Sequence, residues 1–135
     1  MKPLTTSFNI NGIEHPVEYF DADSFDHLDR SKITQVYGVC FVGHEVVIGL
    51  HDRDGSWSII GGRPEAGETL EQTLRREVKE ESNMKILDFK PIGYQSVTNP
   101  ETGEVVYQLR YMCMVEPLGE FKGDTGHTEP GKGIT

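Results

Sequence analysis

Gly62–Met84 reads GRPEAGETLEQTLRREVKEESNM, a glycine turn running into a segment with helical periodicity and three glutamates on one side. Thr69 fits an N-cap, and Gln72 three residues later completes a capping-box spacing, so the helix is expected to begin at about Leu70. At about 100° per residue, Leu70, Leu74 and Val78 form one apolar stripe that should pack on a sheet. Glu81 follows Leu74 by seven residues and falls within about 20° of it on the helical wheel, inside the stripe. Glu77 and Glu80 border the same stripe, where like charges three and four residues apart repel. Gln72, Arg75, Arg76 and Lys79 point elsewhere.

An acidic run is most often a solvated face. That reading leaves the stripe unexplained, because a carboxylate drawn out of water without a partner costs several kcal/mol. Three carboxylates converging there call for a hard cation, and oxygen-only donors with no nearby Cys or His suit Mg²⁺, or Mn²⁺ in its place.

The spacing Gly62, five residues, Glu68, seven residues, Arg76-Glu77-Val78-Lys79-Glu80-Glu81, then Ser82-Asn83-Met84 resembles the signature of the Nudix hydrolases, the MutT-like family. Asn83 stands where the family has Gly, and Asn is the next-best residue for the left-handed position that ends a helix. Ile60 stands where relatives commonly have Pro. The resemblance implies that Glu77, Glu80 and Glu81 hold the catalytic metal, one of them also taking a proton from the attacking water. It adds the backbone carbonyl of Gly61 or Gly62 as a further ligand. Arg76 is implied as a catalytic-site residue that, with Glu68, braces the loop and helix. The implied reaction is Mg²⁺-dependent hydrolysis of the diphosphate bridge of a nucleoside diphosphate linked to another group. The alternative is a Nudix-fold module that binds a nucleotide or metal without turnover.

The chain of 135 residues is expected to form a single domain over 1–135. Its formal charge of −9 argues against a broad basic surface for nucleic acid and leaves a small-molecule nucleotide as partner. No apolar run is long enough to span a membrane and no basic-then-apolar leader opens the sequence, so a cytoplasmic location is expected. Cys40 and Cys113 fit small core residues in a reducing compartment.

Phe8–Tyr19 reads as a hairpin about Asn11-Gly12, within a hairpin region of about 7–20, and Pro16 suggests that its second strand is an edge. Asp21–Asp29 is acidic and mostly aperiodic, a loop or a short helix. Strands are expected over Val36–Val42 and Glu45–Leu50, divided by Gly43-His44, and over Ile86–Val97 and Val105–Val115, joined by the turn Asn99–Gly103. Strands around one helix imply α/β with a mixed sheet, and the resemblance makes this a Nudix-type α/β/α sandwich.

Gly126–Lys132, GHTEPGK, has P-loop spacing, but Gly133 stands where Ser or Thr should bind Mg²⁺. His15, His27, His44, His51 and His127 share no ligand spacing. Trp57 reads as core packing, with base stacking as the minor reading. Pro100 lies sixteen residues past Met84, as in Nudix enzymes acting on ADP-ribose, and equally fits an ordinary turn; the longer signatures of NADH- and coenzyme A-cleaving relatives are not visible. Arg53, Arg110, Tyr94, Tyr107 and Tyr111 are candidates for phosphate or base contacts, and Glu101, Glu104, Glu116 and Glu120 for further acidic ligands. The glycine-rich tail 117–135 lacks the periodicity of the closing helix that similar Nudix domains carry. The expectation is therefore a sheet without its usual C-terminal helix. Its bare face would be covered by a second copy of the chain, as a homodimer, or by Asp21–Asp29 through Phe25 and Leu28.

Overall fold

A computed structural model describes residues 4–50, 55 and 57–119. Strand β1 (Leu4–Ile10) turns through Asn11 and Gly12, both at positive φ (53° and 84°), into β2 (Ile13–Asp21). That is the geometry a two-residue hairpin loop requires, and the Asn9 side chain accepts the Gly12 N–H at 2.9 Å. Pro16 does not mark an edge strand. β2 is an inner strand whose ladder to β8 (Met84–Thr98) runs from Val17↔Val97 to Asp21↔Gly93. Pro16 lies one residue outside that ladder, where its missing N–H costs nothing; β1 is the edge.

β3 (Ile33–Val42) lies near the other end of the sheet. It runs parallel to β9 (Val105–Pro117), with Val36 opposite Leu109 and Cys40 opposite Cys113. Its far edge is shared by two short antiparallel strands: β4 (Glu45–Val47) at Cys40–Val42, and β7 (Ile60–Gly62) at Val36–Gly38. This sharing explains why Glu45–Leu50 is not one strand as expected. The chain leaves the edge after Val47 so that the glycine loop can occupy the rest of it, and Gly49–Leu50 (β5) pairs instead with Trp57–Ser58 (β6). Trp57 is 45% exposed, so it is not core packing. β8 and β9 form a long antiparallel hairpin that bulges at Leu87 and Ile92. The result is the expected mixed sheet, with the order β1-β2-β8-β9-β3-β4 and β7 beside β4.

The sheet carries α1 (Leu70–Ser82), the one α-helix among the described residues. The helix begins and ends as the sequence indicates. Thr69 and Gln72 exchange both capping-box bonds, at 3.1 and 2.9 Å, and Asn83 is left-handed (φ 54°, ψ 47°), donating its N–H to Lys79. Leu74 and Val78 are fully buried against β3 and β9. Gly38 lies beneath them, and a Cβ there would stand 3.1 Å from both Leu74 Cδ1 and Cys113 Sγ, so the glycine sets how closely the helix seats.

The acidic loop 22–29 folds back as one of the two expected covers, though not over the expected face. Phe25 is buried edge-on against Tyr111 (5.2 Å) and Tyr94 (6.3 Å), with Leu28 beside it. Tyr111 and Tyr94 share the alternation of Leu109 and Cys113, so the loop extends the layer of α1 on the same side of the sheet. The opposite face, with Tyr37, Gln95, Arg110, Met112 and Met114, carries no helix among the described residues.

Candidate active site

The site is built where β7 meets α1. At Gly62 a Cβ would lie 2.6 Å from the Glu77 carboxyl carbon; at Gly61 it would strike the Val36 carbonyl and the Tyr37 backbone. Both glycines are therefore required by close approach, one of carboxylate to backbone and one of strand to strand. The Gly61 N–H donates to Glu81 Oε2 at 3.0 Å. Burial, a hydrogen bond donated to Glu77 and the charges of Glu77 and Glu80 push the Glu81 carboxyl up to about 8, against the pull of the Gly61 N–H. Glu81 thus holds a proton at neutral pH while no cation is near.

At the other end of the motif the environment reverses. Glu68 takes Arg76 Nε at 2.6 Å and Nη2 at 3.0 Å, a two-pronged ion pair. It also accepts from Thr73 Oγ1 (2.8 Å) and the Glu65 N–H (2.9 Å). These donors, the arginine first, hold the Glu68 carboxyl down at about 2. The same guanidinium donates to the Arg63 carbonyl (3.1 Å), to Glu77 Oε1 (2.7 Å) and to Glu80 Oε2 (3.3 Å). Arg76 therefore does not lie wholly behind the acidic face. Its side chain is long enough to bond the loop and the rim of the acidic cluster together.

Of the residues singled out from the sequence, the structure brings Glu77, Glu81, Gly61 and Gly62 together. Glu80 stands further out, with a side chain 46% exposed against 13% for Glu77. Among the described residues no three acidic, histidine or cysteine side chains enclose a cation as they stand. Glu101 and Glu104 lie in the β8–β9 turn and Glu116 pairs across from Lys85 on the sheet; all three are exposed. Tyr94 and Tyr111 are buried in the α1-side core, with Tyr107 edge-on to Tyr94, and so do not form a base-contact surface. Cys40 and Cys113 are free, buried and opposite each other. Arg53, His51, Glu120, His127 and the Gly126–Lys132 stretch lie outside the described residues. The sequence reading missed Arg30, whose guanidinium donates to the Glu68 carbonyl at 3.0 Å, and Tyr37, paired with Gly61. Neither has a local pattern; only strand pairing and the fold-back of the 30–32 turn put them there.

A mixed sheet whose glycine edge strand is held by an acidic helix is the arrangement that the Gly62–Met84 resemblance implies. Residues 33–131 match the NUDIX domain family model, and the chain belongs to the Nudix family, a family of pyrophosphohydrolases that generally use divalent metals. It is 32% identical over 128 residues to the NAD-capped RNA hydrolase NudC of Vibrio vulnificus, covering 82% of this chain and 47% of that protein. To the protein of the same name from Erwinia tasmaniensis it is 35% identical over 71 residues, 51% of this chain and 27% of that one. The chain thus spans about half the length, or less, of these curated relatives. The crystal structure of a mutant of the Bacillus subtilis pyrophosphohydrolase BsRppH superposes with a TM-score of 0.73 at 20% identity, over 96% of this chain and 77% of that one, which establishes the fold.

Proposed function

We propose that the chain hydrolyses the diphosphate linkage of a nucleoside diphosphate joined to another group, with Mg²⁺ or Mn²⁺ as cofactor. The observation that carries this reading is the Glu77–Glu81 pair set against Gly61 and Gly62: a carboxyl drawn out of water beside a second carboxyl, keeping its proton to about pH 8 unless a cation replaces it. The donor set fits. Glu77, Glu80 and Glu81 with the carbonyl of Gly61 or Gly62 are all oxygen ligands of the kind a hard divalent ion takes. When bound, the ion would supply charge neutralisation for the diphosphate and a lowered pKa for the attacking water. One carboxylate of the cluster takes a proton from that water as the water oxygen bonds to a phosphorus, the bond from that phosphorus to the bridging oxygen breaks, and two phosphate products leave, one of them a nucleoside monophosphate. Arg76 and Glu68 hold the glycine loop against the helix meanwhile.

The relatives' names support a substrate of this class, since NAD joins two nucleosides through a diphosphate. The free, buried thiols agree with a cytoplasmic, reducing location, and among the described residues no helix is long and apolar enough to cross a membrane. A non-catalytic binding module is the second reading, favoured by Arg76 already occupying Glu77 and Glu80. Turnover with Mg²⁺ of NAD, ADP-ribose, nucleotide sugars, dinucleoside polyphosphates, nucleoside triphosphates and capped RNA decides between them. Release of a nucleoside monophosphate is expected; saturable Mg²⁺ binding with no release from any of these would leave the module.

A further inference from the structure

The sheet face turned away from α1 holds a half-buried cation with no acid beside it among the described residues. Arg110, midway along β9, lies over the Tyr37 ring with its guanidinium carbon 5.1 Å from the centroid. Its Nη2 donates to Gln95 Oε1 and its Nη1 to the Gln108 carbonyl, each at 3.2 Å. None of the ion pairs among the described residues includes it, in a chain with 22 acidic residues against 13 basic ones. A guanidinium has five N–H donors, and only two have a described partner. Among the described residues, neutral groups aim this one and no acid neutralises it.

What flanks Arg110 is equally specific. Directly across the ladder is Gly93, where a Cβ would collide with the Tyr19 hydroxyl and stand 2.5 Å from its ring carbon Cζ. The missing side chain lets Tyr19 lie across the sheet and bring its phenol to Arg110. Beyond Tyr19 opens a cavity of about 380 Å³, lined by Leu4, Thr5, Thr6, Val17, Tyr19 and Gln95 and mostly apolar. On the other flank, Tyr37 pairs with Gly61, whose N–H holds Glu81. Across the sheet the strands thus carry, in order, Gly61 on β7, Tyr37 on β3, Arg110 on β9, Gly93 on β8 and Tyr19 on β2, so Arg110 stands two strands from Gly61 and two from Tyr19, neighbouring strands being about 5 Å apart.

We propose that Arg110 binds the phosphate of the substrate's diphosphate that is not under attack, and that the cavity between Tyr19 and the N-terminal hairpin receives the ring system beyond it. This rests on the diphosphate-hydrolase reading for its substrate and on Arg110's own surroundings for its chemistry. A guanidinium fork matches two phosphate oxygens, and desolvation strengthens the contact. The rival role is a strut, in which Arg110 only ties Gln95 to the β9 backbone.

The test is calorimetric binding of ADP in EDTA, alongside steady-state turnover with Mg²⁺, for the whole chain and for R110Q, R110K, Y19F and E81Q. Losing a charged, partly desolvated contact should weaken ADP binding by roughly tenfold to a hundredfold in R110Q. KM for the cleaved substrate should rise by a similar factor with kcat within a few-fold. R110K should recover part of the affinity. E81Q should lose turnover and keep metal-free ADP binding, which separates the two sites. Wild-type ADP affinity and KM in a folded R110Q would overturn the proposal; if R110Q does not fold, unchanged affinity in both R110K and Y19F would do so. A wild-type chain that binds ADP through Arg110 yet turns over no diphosphate would refute the hydrolase reading and keep Arg110 only as a nucleoside-diphosphate contact.

Discussion

Glu68 and Glu81 belong to one motif, and their surroundings are opposite. Glu68 has a guanidinium fork, a hydroxyl and a backbone N–H, and is held far on the ionised side. Glu81 accepts from the Gly61 N–H, lies buried beside a second carboxyl, and is held on the neutral side. Arg76 faces both groups of acids and places its two shortest side-chain bonds on Glu68 and Glu77, leaving Glu81 to the glycine loop. The ion-paired acid fixes geometry; the one drawn out of water beside a second carboxyl is where a cation would act. A chain that only needed a solvated acidic helix would have no reason to bury Glu81.

The sharpest way to break this contrast is to neutralise one acid at a time. Glu81→Gln or Glu77→Gln keeps size and helix propensity and removes the charge a cation would use. Turnover should fall by at least about a hundredfold, a few kcal/mol of transition-state stabilisation. The metal-free protein should stay folded, and the gain in Tm from Glu81→Gln should appear only toward and above pH 8, where Glu81 would otherwise ionise beside Glu77. Near-normal Mg²⁺-dependent rates in both variants would remove these residues from the chemistry.

On the ion-paired side the expected effect is smaller and structural. Arg76→Lys keeps the charge and loses the fork, which reaches Glu68, Glu77, Glu80 and the Arg63 carbonyl together. Tm should drop by on the order of 5 °C, with kcat reduced less than in the glutamate variants. An unchanged Tm and rate would mean that the bonds around Arg76 do not carry the loop.

The same contrast shows what the linear sequence could and could not disclose. α1 was legible to its caps, because Thr69, Gln72 and Asn83 act on neighbours one helical turn away. The hairpin was legible through Asn11-Gly12 for the same reason. The Pro16 edge and the single strand Glu45–Leu50 failed because both depend on which strand lies alongside, and pairing between residues 17 and 97 or 36 and 62 leaves no local mark. Phe25 and Leu28 were recognised as a cover, but not on which face, since that is decided by the alternation of Tyr94 and Tyr111 two strands away. At the site, the glutamates were readable from helical spacing alone. Arg30 and Tyr37 reach it only through the fold.

The smallest effect expected is also the one that sees both acids at once, the pH dependence of stability without metal. The Glu81 carboxyl is raised from an ordinary value of 4.5 to about 8, so the folded chain holds a proton that the unfolded chain releases. Its contribution is fully present below about 4.5 and is lost as pH rises through 8. Glu68 runs the other way: lowered to about 2, it contributes above 4.5, and that contribution is lost as pH falls toward 2. Melting in EDTA should therefore show Tm rising as pH is lowered from 8.5 to 5.5, then falling below about 4. Glu81→Gln should flatten the upper limb and leave the lower one in place, and Glu68→Gln should weaken the lower limb. Because a cation needs the ionised carboxylates, Mg²⁺ should bind more tightly as pH rises through 8 and cancel the upper limb. A Tm that climbs between pH 5.5 and 8.5 in EDTA would show that Glu81 is ionised in the metal-free fold, and the contrast with Glu68 would not hold.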